Sequence, residues 1–346
     1  GVDSSLISAI SQEKLDIKNI ETFSVIFNDD ERKYYKPRSE EEYIDYVSKK
    51  YSLSNRKFLF KPNDIKESFF EAIWYHEAPL NGPSTVLYYL LAKEIKKYVD
   101  VVITGEAVDD IFNGYFNNWQ FSDKIDDLFK YFVSPRLLKK YIFGFDENHS
   151  KEKINNLLSS EETENMSALE KTSFLLIKRG LHGLLARHDR MFMSNGIEGR
   201  PPFAAKNIIN SRFSLNDENI YHSGIGKYII KNITEKYYSR KFVRREKIGF
   251  SSPYGDWISD NRYLAKYWNL LNFEFLSNYF NIDAIKTNLS EPNSEQKWSG
   301  DNANFLMCLL NFQTFHSVFF ENQKYLDLTS TREFTQKEIR KKQSFI

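Results

Sequence analysis

Two short stretches concentrate residues that can do chemistry together. The first, Gly1-Val2-Asp3-Ser4-Ser5, runs into a helical pattern carried by Leu6, Ile7, Ile10 and Leu15. A glycine followed by hydroxyl residues at a helix N-terminus makes an anion site, because orphan amides and the helix dipole both point at the ligand. Ser4 and Ser5 can donate to phosphate oxygens. Asp3 cannot bind phosphate directly, and its carboxylate points to a bridging Mg²⁺, a hard cation that takes carboxylate and phosphate oxygens together. A simple Asp or Ser N-cap is the alternative reading of this pentapeptide. The second stretch is Thr104-Gly105-Glu106-Ala107-Val108-Asp109-Asp110-Ile111-Phe112-Asn113-Gly114-Tyr115, directly after an apolar run. Ligands of open α/β sheets bind outside the carboxyl ends of the strands. Asp109 is therefore placed to supply a second Mg²⁺ carboxylate opposite Asp3, and Glu106 to act as acid or base at the sheet edge. A solvated acidic turn is the alternative here.

The elements that must position these stretches alternate between strand and helix. Thr22-Phe23-Ser24-Val25-Ile26-Phe27 reads as a buried strand, and Lys57-Phe58-Leu59-Phe60 as a second, shorter one. Residues 28–42 read as a polar surface loop running into a helix. Pro62-Asn63-Asp64 opens a helix through Trp74 with Asp64 as its N-cap, and residues 84–98 form another, with Leu87, Leu90, Leu91 and Ile95 in helical register. Residues 99–104 predict a strand buried on both faces. This alternation implies an α/β fold with a parallel twisted sheet and flanking helices. After about residue 120 the strand signals fade, and residues 168–188 and 302–320 read as helices with apolar stripes. Residues 1–120 are thus expected to form a nucleotide-binding core, and residues 121–346 a mostly helical extension.

Composition narrows the function. The 346 residues carry 48 Lys+Arg against 47 Asp+Glu, a formal charge of +1, which argues against a nucleic-acid surface. Apolar residues make up 41% and charged residues 27%, and no apolar run reaches the roughly 18 residues of a membrane span, so a soluble globular protein is expected. The single cysteine, Cys308 in Phe305-Leu306-Met307-Cys308-Leu309-Leu310, reads as a core thiol; it excludes an internal disulfide or a multi-cysteine zinc site and fits a reducing cytoplasm.

Gly1 to Ser5 resembles the last five residues of the Ser-Gly-Gly-x-Asp-Ser-Ser pyrophosphate loop of the N-type ATP pyrophosphatases. Thr104 to Tyr115 resembles the Ser/Thr-Gly-Glu/Asp-Gly-x-Asp-Glu-Leu-Phe-Gly-Gly-Tyr segment of the asparagine synthetase family's synthetase domain. Tyr75-His76-Glu77-Ala78-Pro79, Arg187-His188-Asp189-Arg190-Met191-Phe192-Met193 with Glu198-Gly199-Arg200-Pro201-Pro202-Phe203, Gly226-Lys227-Tyr228 and Arg244-Arg245-Glu246-Lys247-Ile248-Gly249-Phe250 are similar to further family segments in the same order. The resemblance implies ATP-dependent adenylation of a small-molecule carboxylate, release of pyrophosphate, and attack by ammonia or another amine. It implies pyrophosphate cradling by Gly1, Val2, Ser4 and Ser5, with Lys227 as a pyrophosphate-facing lysine. It implies Mg²⁺ on Asp3 and Asp109, and adenylate contacts from Val25, Phe27, Thr104, Gly105 and Glu106. Lys247 is the lysine placed to neutralise the leaving pyrophosphate, and Arg190 can fork onto a carboxylate or instead form a buried ion pair.

The resemblance also places a strand and the start of the loop upstream of Gly1, so the sequence reads as the interior of a longer polypeptide. An upstream or separate glutaminase domain is the expected ammonia source, since such domains begin with a cysteine and Cys308 does not fit that role. A homodimer is compatible with the family. The departures are Ala107 for a glycine, Asn113 for a glycine, Val108 for a small residue and Ala204-Ala205 for Leu-Asp. The last opens the alternatives of a non-aspartate acceptor, such as a sugar acid or peptide, or of a non-catalytic scaffold keeping the fold.

Overall fold

The computed structural model describes residues 1–27, 40–80, 82, 84–115, 126, 135–245, 252–260, 263–264, 271–288 and 300–321. Helix α1 (Val2–Glu13) leads to strand β1 (Glu21–Ile26), which pairs in parallel with β2 (Ser54–Leu59) from Glu21↔Ser54 to Ile26↔Leu59. The connection passes through α2 (Glu41–Tyr51), as parallel pairing requires a crossover. Helices α3 (Pro62–His76) and α4 (Ser84–Ile95) follow, then β3 (Val101–Ile103) and the short α5 (Val108–Ile111). A second parallel pair joins β3 to β4 (Glu198–Arg200), with Val101 opposite Glu198 and Ile103 opposite Arg200. No sequence pattern marks this strand: three residues with a central glycine show no strand periodicity. A small antiparallel hairpin, β5 (Tyr221–His222) and β6 (Ile225–Gly226), completes the strands among the described residues.

The rest is mainly helical, as expected. Residues 168–193 run as one rod with a π-helical stretch, Leu176–Leu181, before α6 (His182–Met193). The helices α7 (Lys206–Arg212), α8 (Tyr228–Thr234) and α9 (Gly300–His316) lie further along the chain. The larger core packs α3, α4, α6 and α9 through Phe69, Ile73, Leu87, Met191, Phe192 and Leu306. The smaller core gathers Leu6, Ala9, Val108, Ile111, Ile230 and Phe242. No described helix is long and apolar enough to cross a membrane.

Several local expectations are corrected. The N-cap of α3 is Lys61 and not Asp64; Asp64 stands at N3, where its carboxylate accepts the Lys61 amide at 2.7 Å, and Pro62 fills the first turn, where no amide donor is needed. Leu15 falls beyond the end of α1 and is exposed. β3 is not buried on both faces. Val99 and Val102 pack on the core, whereas Val101 and Ile103 are 51% and 55% exposed and line a cavity shared with β1. β1 is likewise only half-buried. Cys308 is exposed on α9 between buried Met307 and Leu309, because the helical period turns it away from the core.

β4 lies against α6 through a glycine. A Cβ on Gly199 would come 2.5 Å from His188 Cε1 and 2.8 Å from Phe192 Cδ2, both on well-packed helix side chains. Gly199→Ala is therefore expected to destabilise the fold by about 1–3 kcal/mol. Urea unfolding checks this: the midpoint should fall with the slope unchanged, and an unaltered midpoint would show that α6 yields freely.

Candidate active site

The site is built where α1 begins. Gly1 is the N-cap and offers no side chain, while Ser4 Oγ and Ser5 Oγ donate to the Gly1 carbonyl at 3.2 and 2.7 Å. The first-turn amides have no intrahelical carbonyl to reach, and the residues that carry them, Val2, Asp3 and Ser4, line the cavity. The loop after β3 passes so close that a Cβ on Gly105 would lie 2.8 Å from the Ser4 amide nitrogen and 2.9 Å from Asp3 Cβ. Glycine at 105 thus permits the approach that brings the two sequence motifs together.

A buried lysine joins them. Lys227, just before α8, donates through Nζ to both Asp3 carboxylate oxygens at 2.9 Å and lies 2.9 Å from Asp109 Oδ1. Its backbone amide donates to the Phe112 carbonyl at 3.0 Å, so the same residue is tied to the acidic turn twice. Lys227 is 4% exposed. Burial opposes its charge, but Asp3 and Asp109 outweigh it and hold the ammonium well above the ordinary lysine range.

The turn itself depends on left-handed backbone. Ala107 has φ +78° and Asn113 φ +54°. Asn113 is fully buried, and its Oδ1 accepts from Ser173 Oγ, which in turn accepts from Arg212 Nε at 3.0 Å. A Cβ on Gly114 would fall 1.9 Å from Asp109 Oδ1 and 2.6 Å from Lys227 Cδ, so this position admits no side chain. Asp110, buried beneath the turn, accepts from the Tyr115 hydroxyl at 3.1 Å; burial pushes its carboxyl up to about 7, against the pull of Tyr115 and helped by the charges on Asp109 and Glu106.

On the other side of the loop, Glu106 accepts from the Tyr88 hydroxyl and from Arg187 Nη2, each at 2.5 Å. Arg187 also donates to Ser84 Oγ at 3.2 Å, and its guanidinium carbon lies 4.6 Å from the Tyr88 ring centre. Thr104 Oγ1 and His188 Nε2 are 2.8 Å apart. Burial lowers the His188 pKa, and the Arg187 charge adds to this against the pull of Glu106.

A cavity of about 920 Å³ opens between these groups. Of the residues singled out in the sequence, Gly1, Val2, Asp3, Ser4, Ser5, Val25, Phe27, Thr104, Gly105, Glu106, Asp109 and Lys227 all line it. Arg190 does not: its guanidinium donates to the carbonyl of His76, the last residue of α3, and so ties α6 to that helix end. Arg187, three residues earlier, holds the position on the cavity and was missed, although it sits in the same quoted segment. Lys247 lies outside the described residues. Neither Ala204 nor Ala205 lines the cavity; Ala205 is the N-cap of α7, without a side-chain cap bond. Exposed Glu198 faces Arg200 at 3.5 Å.

Asp3 and Asp109 fit Mg²⁺ in donor type and convergence, since both reach a single ammonium nitrogen. Among the described residues no group of three or more His, Cys, Asp or Glu forms a metal site. Mg²⁺ here would take two carboxylates from the protein and its remaining ligands from phosphate and water.

The strained position at 107 is testable. Ala107→Gly is expected to stabilise the chain by about 0.5–1 kcal/mol, the relief of left-handed strain less the entropy glycine loses on folding. Chemical denaturation measures this, and a loss of stability would mean that the buried Ala107 methyl outweighs the strain.

The Asparagine synthase family model matches residues 1–317. The chain is similar to glutamine-hydrolyzing asparagine synthetase 1 of Bacillus subtilis (strain 168), 24% identical over 93% of this chain and 56% of that protein. It is also similar to glutamine-hydrolyzing asparagine synthetase 3 of the same organism, 24% identical over 73% of this chain and 43% of that protein. The chain thus spans about half the length of these relatives. A match over residues 1–317 that contains the whole cavity assigns this chain to the asparagine synthase family.

Proposed function

We propose that this chain is the synthetase part of an ATP-dependent amide-forming ligase that adenylates a carboxylic acid and passes the acyl group to ammonia or an amine. The observation that carries the reading is the convergence of Asp3, Asp109 and Lys227 beside the open first turn of α1. That arrangement suits a polyphosphate held by backbone amides and a divalent cation. When bound, Mg²⁺ supplies charge neutralisation at the phosphates.

In the first step a substrate carboxylate oxygen attacks the α-phosphorus. An O–P bond forms, the bond to the leaving pyrophosphate breaks, and its electron pair departs with pyrophosphate. The α1 amides accommodate that growing charge, and Lys247 is assigned the same task from its sequence segment. In the second step nitrogen attacks the acyl carbon, AMP leaves, and the amine proton passes to Glu106. Each Glu106 oxygen accepts one hydrogen bond, from Arg187 or from Tyr88, and retains a lone pair for an incoming N–H. The carboxylate is thereby held in one orientation facing the cavity. Ammonia reaches it free or from a glutaminase outside these residues. Ala204 and Ala205 do not line the cavity, and Ala205 begins α7, so aspartate and other carboxylic acids both stand as acceptors to be assayed.

Pyrophosphate release from ATP and Mg²⁺, assayed with aspartate and other carboxylic acids, tests the reading. Turnover should depend on both acid and amine, and Asp109→Asn should lower kcat/KM by about 100-fold or more. Undiminished release in that variant would remove the mechanism. Mg²⁺-dependent ATP binding without turnover on any acid would indicate a scaffold that has kept the fold.

A further inference from the structure

Arg212, the last residue of α7, is a fully buried guanidinium. Neither Nη1 nor Nη2 has a hydrogen-bond partner among the described residues, and Asp217 Oδ1 lies 3.7 Å from Nη2. A buried cation held so loosely is a poor source of stability. Its Nε donates inward, to Ser173 Oγ at 3.0 Å on the helix Ala168–Leu175. Ser173, also fully buried, donates to Asn113 Oδ1, with the Leu169 carbonyl at 3.1 Å as a second acceptor. A charged donor on Oγ polarises the hydroxyl and strengthens the bond it makes onward.

Asn113 is where that chain of bonds meets the site. The peptides on both sides of it are committed to cavity residues: the Phe112 carbonyl accepts from the Lys227 amide at 3.0 Å, and the Gly114 amide donates to the Asp109 carbonyl at 2.8 Å. Between them Asn113 holds φ +54°. Gly114 lies so close to the Asp109 carboxylate that a change in this angle is carried directly to Asp109. The rod that bears Ser173 supports the turn a second time at Gly180, where a Cβ would lie 3.4 Å from Asp110 Oδ1.

We propose that Arg212, acting through Ser173 and Asn113, is a positioning residue that fixes the Asp109 carboxylate where it can bind a divalent cation. This rests on the reading of Asp3 and Asp109 as cation ligands and extends it to α7 and the helix Ala168–Leu175, neither of which lines the cavity. A left-handed asparagine commonly satisfies its side chain on nearby backbone. Tying its oxygen to a remote hydroxyl instead leaves the turn one conformation. Outer partners of this kind typically change metal affinity by about 10–100-fold when removed.

Mn²⁺, as a probe for Mg²⁺, titrated into the whole chain with ATP and followed by paramagnetic resonance of the free ion, tests this. Ser173→Ala and Arg212→Met should each weaken Mn²⁺ about tenfold. Because the two residues act in series, the double variant should lose no more than Ser173→Ala alone. Thermal melting shows whether each variant is folded at the assay temperature, and Ser173→Ala decides the matter if Arg212→Met does not fold. A merely structural role would lower the melting temperature with Mn²⁺ affinity native, and that result would overturn the proposal, as would losses that add in the double variant. Asp109→Asn separates the two readings. If it abolishes Mn²⁺ binding while Ser173→Ala and Arg212→Met do not weaken it, only the proposal fails; if Asp109→Asn binds as the native chain does, or the native chain binds no Mn²⁺, the cation reading fails and the proposal with it.

Discussion

The interaction on which the site depends is the buried ammonium of Lys227 between the carboxylates of Asp3 and Asp109. Three pieces of chain far apart in sequence meet there: the first turn of α1, the turn after β3 and the start of α8. A buried charge is tolerated only when it is paired, so each partner fixes the position of the other two. Removing one carboxylate leaves the cation under-compensated, a change that typically costs about 3–5 kcal/mol. Two carboxylates against one ammonium leave a local excess of one negative charge. That residue of charge suits the site to a divalent cation arriving with phosphate.

The same constraint explains why so many small or left-handed residues crowd one turn. Gly105 lets the loop touch α1, Gly114 leaves room for Asp109 and Lys227, and Asn113 takes a left-handed conformation secured through Ser173 and Arg212. Asn is among the few non-glycine residues that adopt this region readily. Ala107 is not, and it keeps φ +78° because the surrounding contacts hold it there. Where the family pattern has glycine, this chain thus reaches the same backbone by two routes, one eased by a side-chain relay and one strained.

Much of this was legible in the sequence because it lies in local runs. Asp3 and Asp109 each follow a feature with a strong signal, a helix start or a strand end, and strand ends are where α/β sheets bind ligands. What the sequence hid were pairings over long separations. Nothing local shows that Glu106 will meet Arg187, that Thr104 will meet His188, or that Lys227 will turn to Asp3 and Asp109. Arg187 and Arg190 offer the same guanidinium fork, and only packing against α3 decides which one reaches the cavity. β4 escaped because its register comes from β3 and from contact with α6, and not from any pattern of its own. The exposed faces of Val101 and Ile103 could not be anticipated from a run of branched residues, which looks the same whether one face or both are covered.

Those exposed faces belong to a sheet in two halves. Among the described residues β1 pairs only with β2, and β3 only with β4, while β1 and β3 border the same cavity. Each therefore carries one row of backbone donors and acceptors without a ladder partner there, and such a row is a template for any extended segment, from this molecule or another. Each of the two edges starts at an ion pair: Glu21 opens β1 and faces Arg56 of β2 at 3.4 Å, and the exposed Asp100, paired with Lys96, stands immediately before β3.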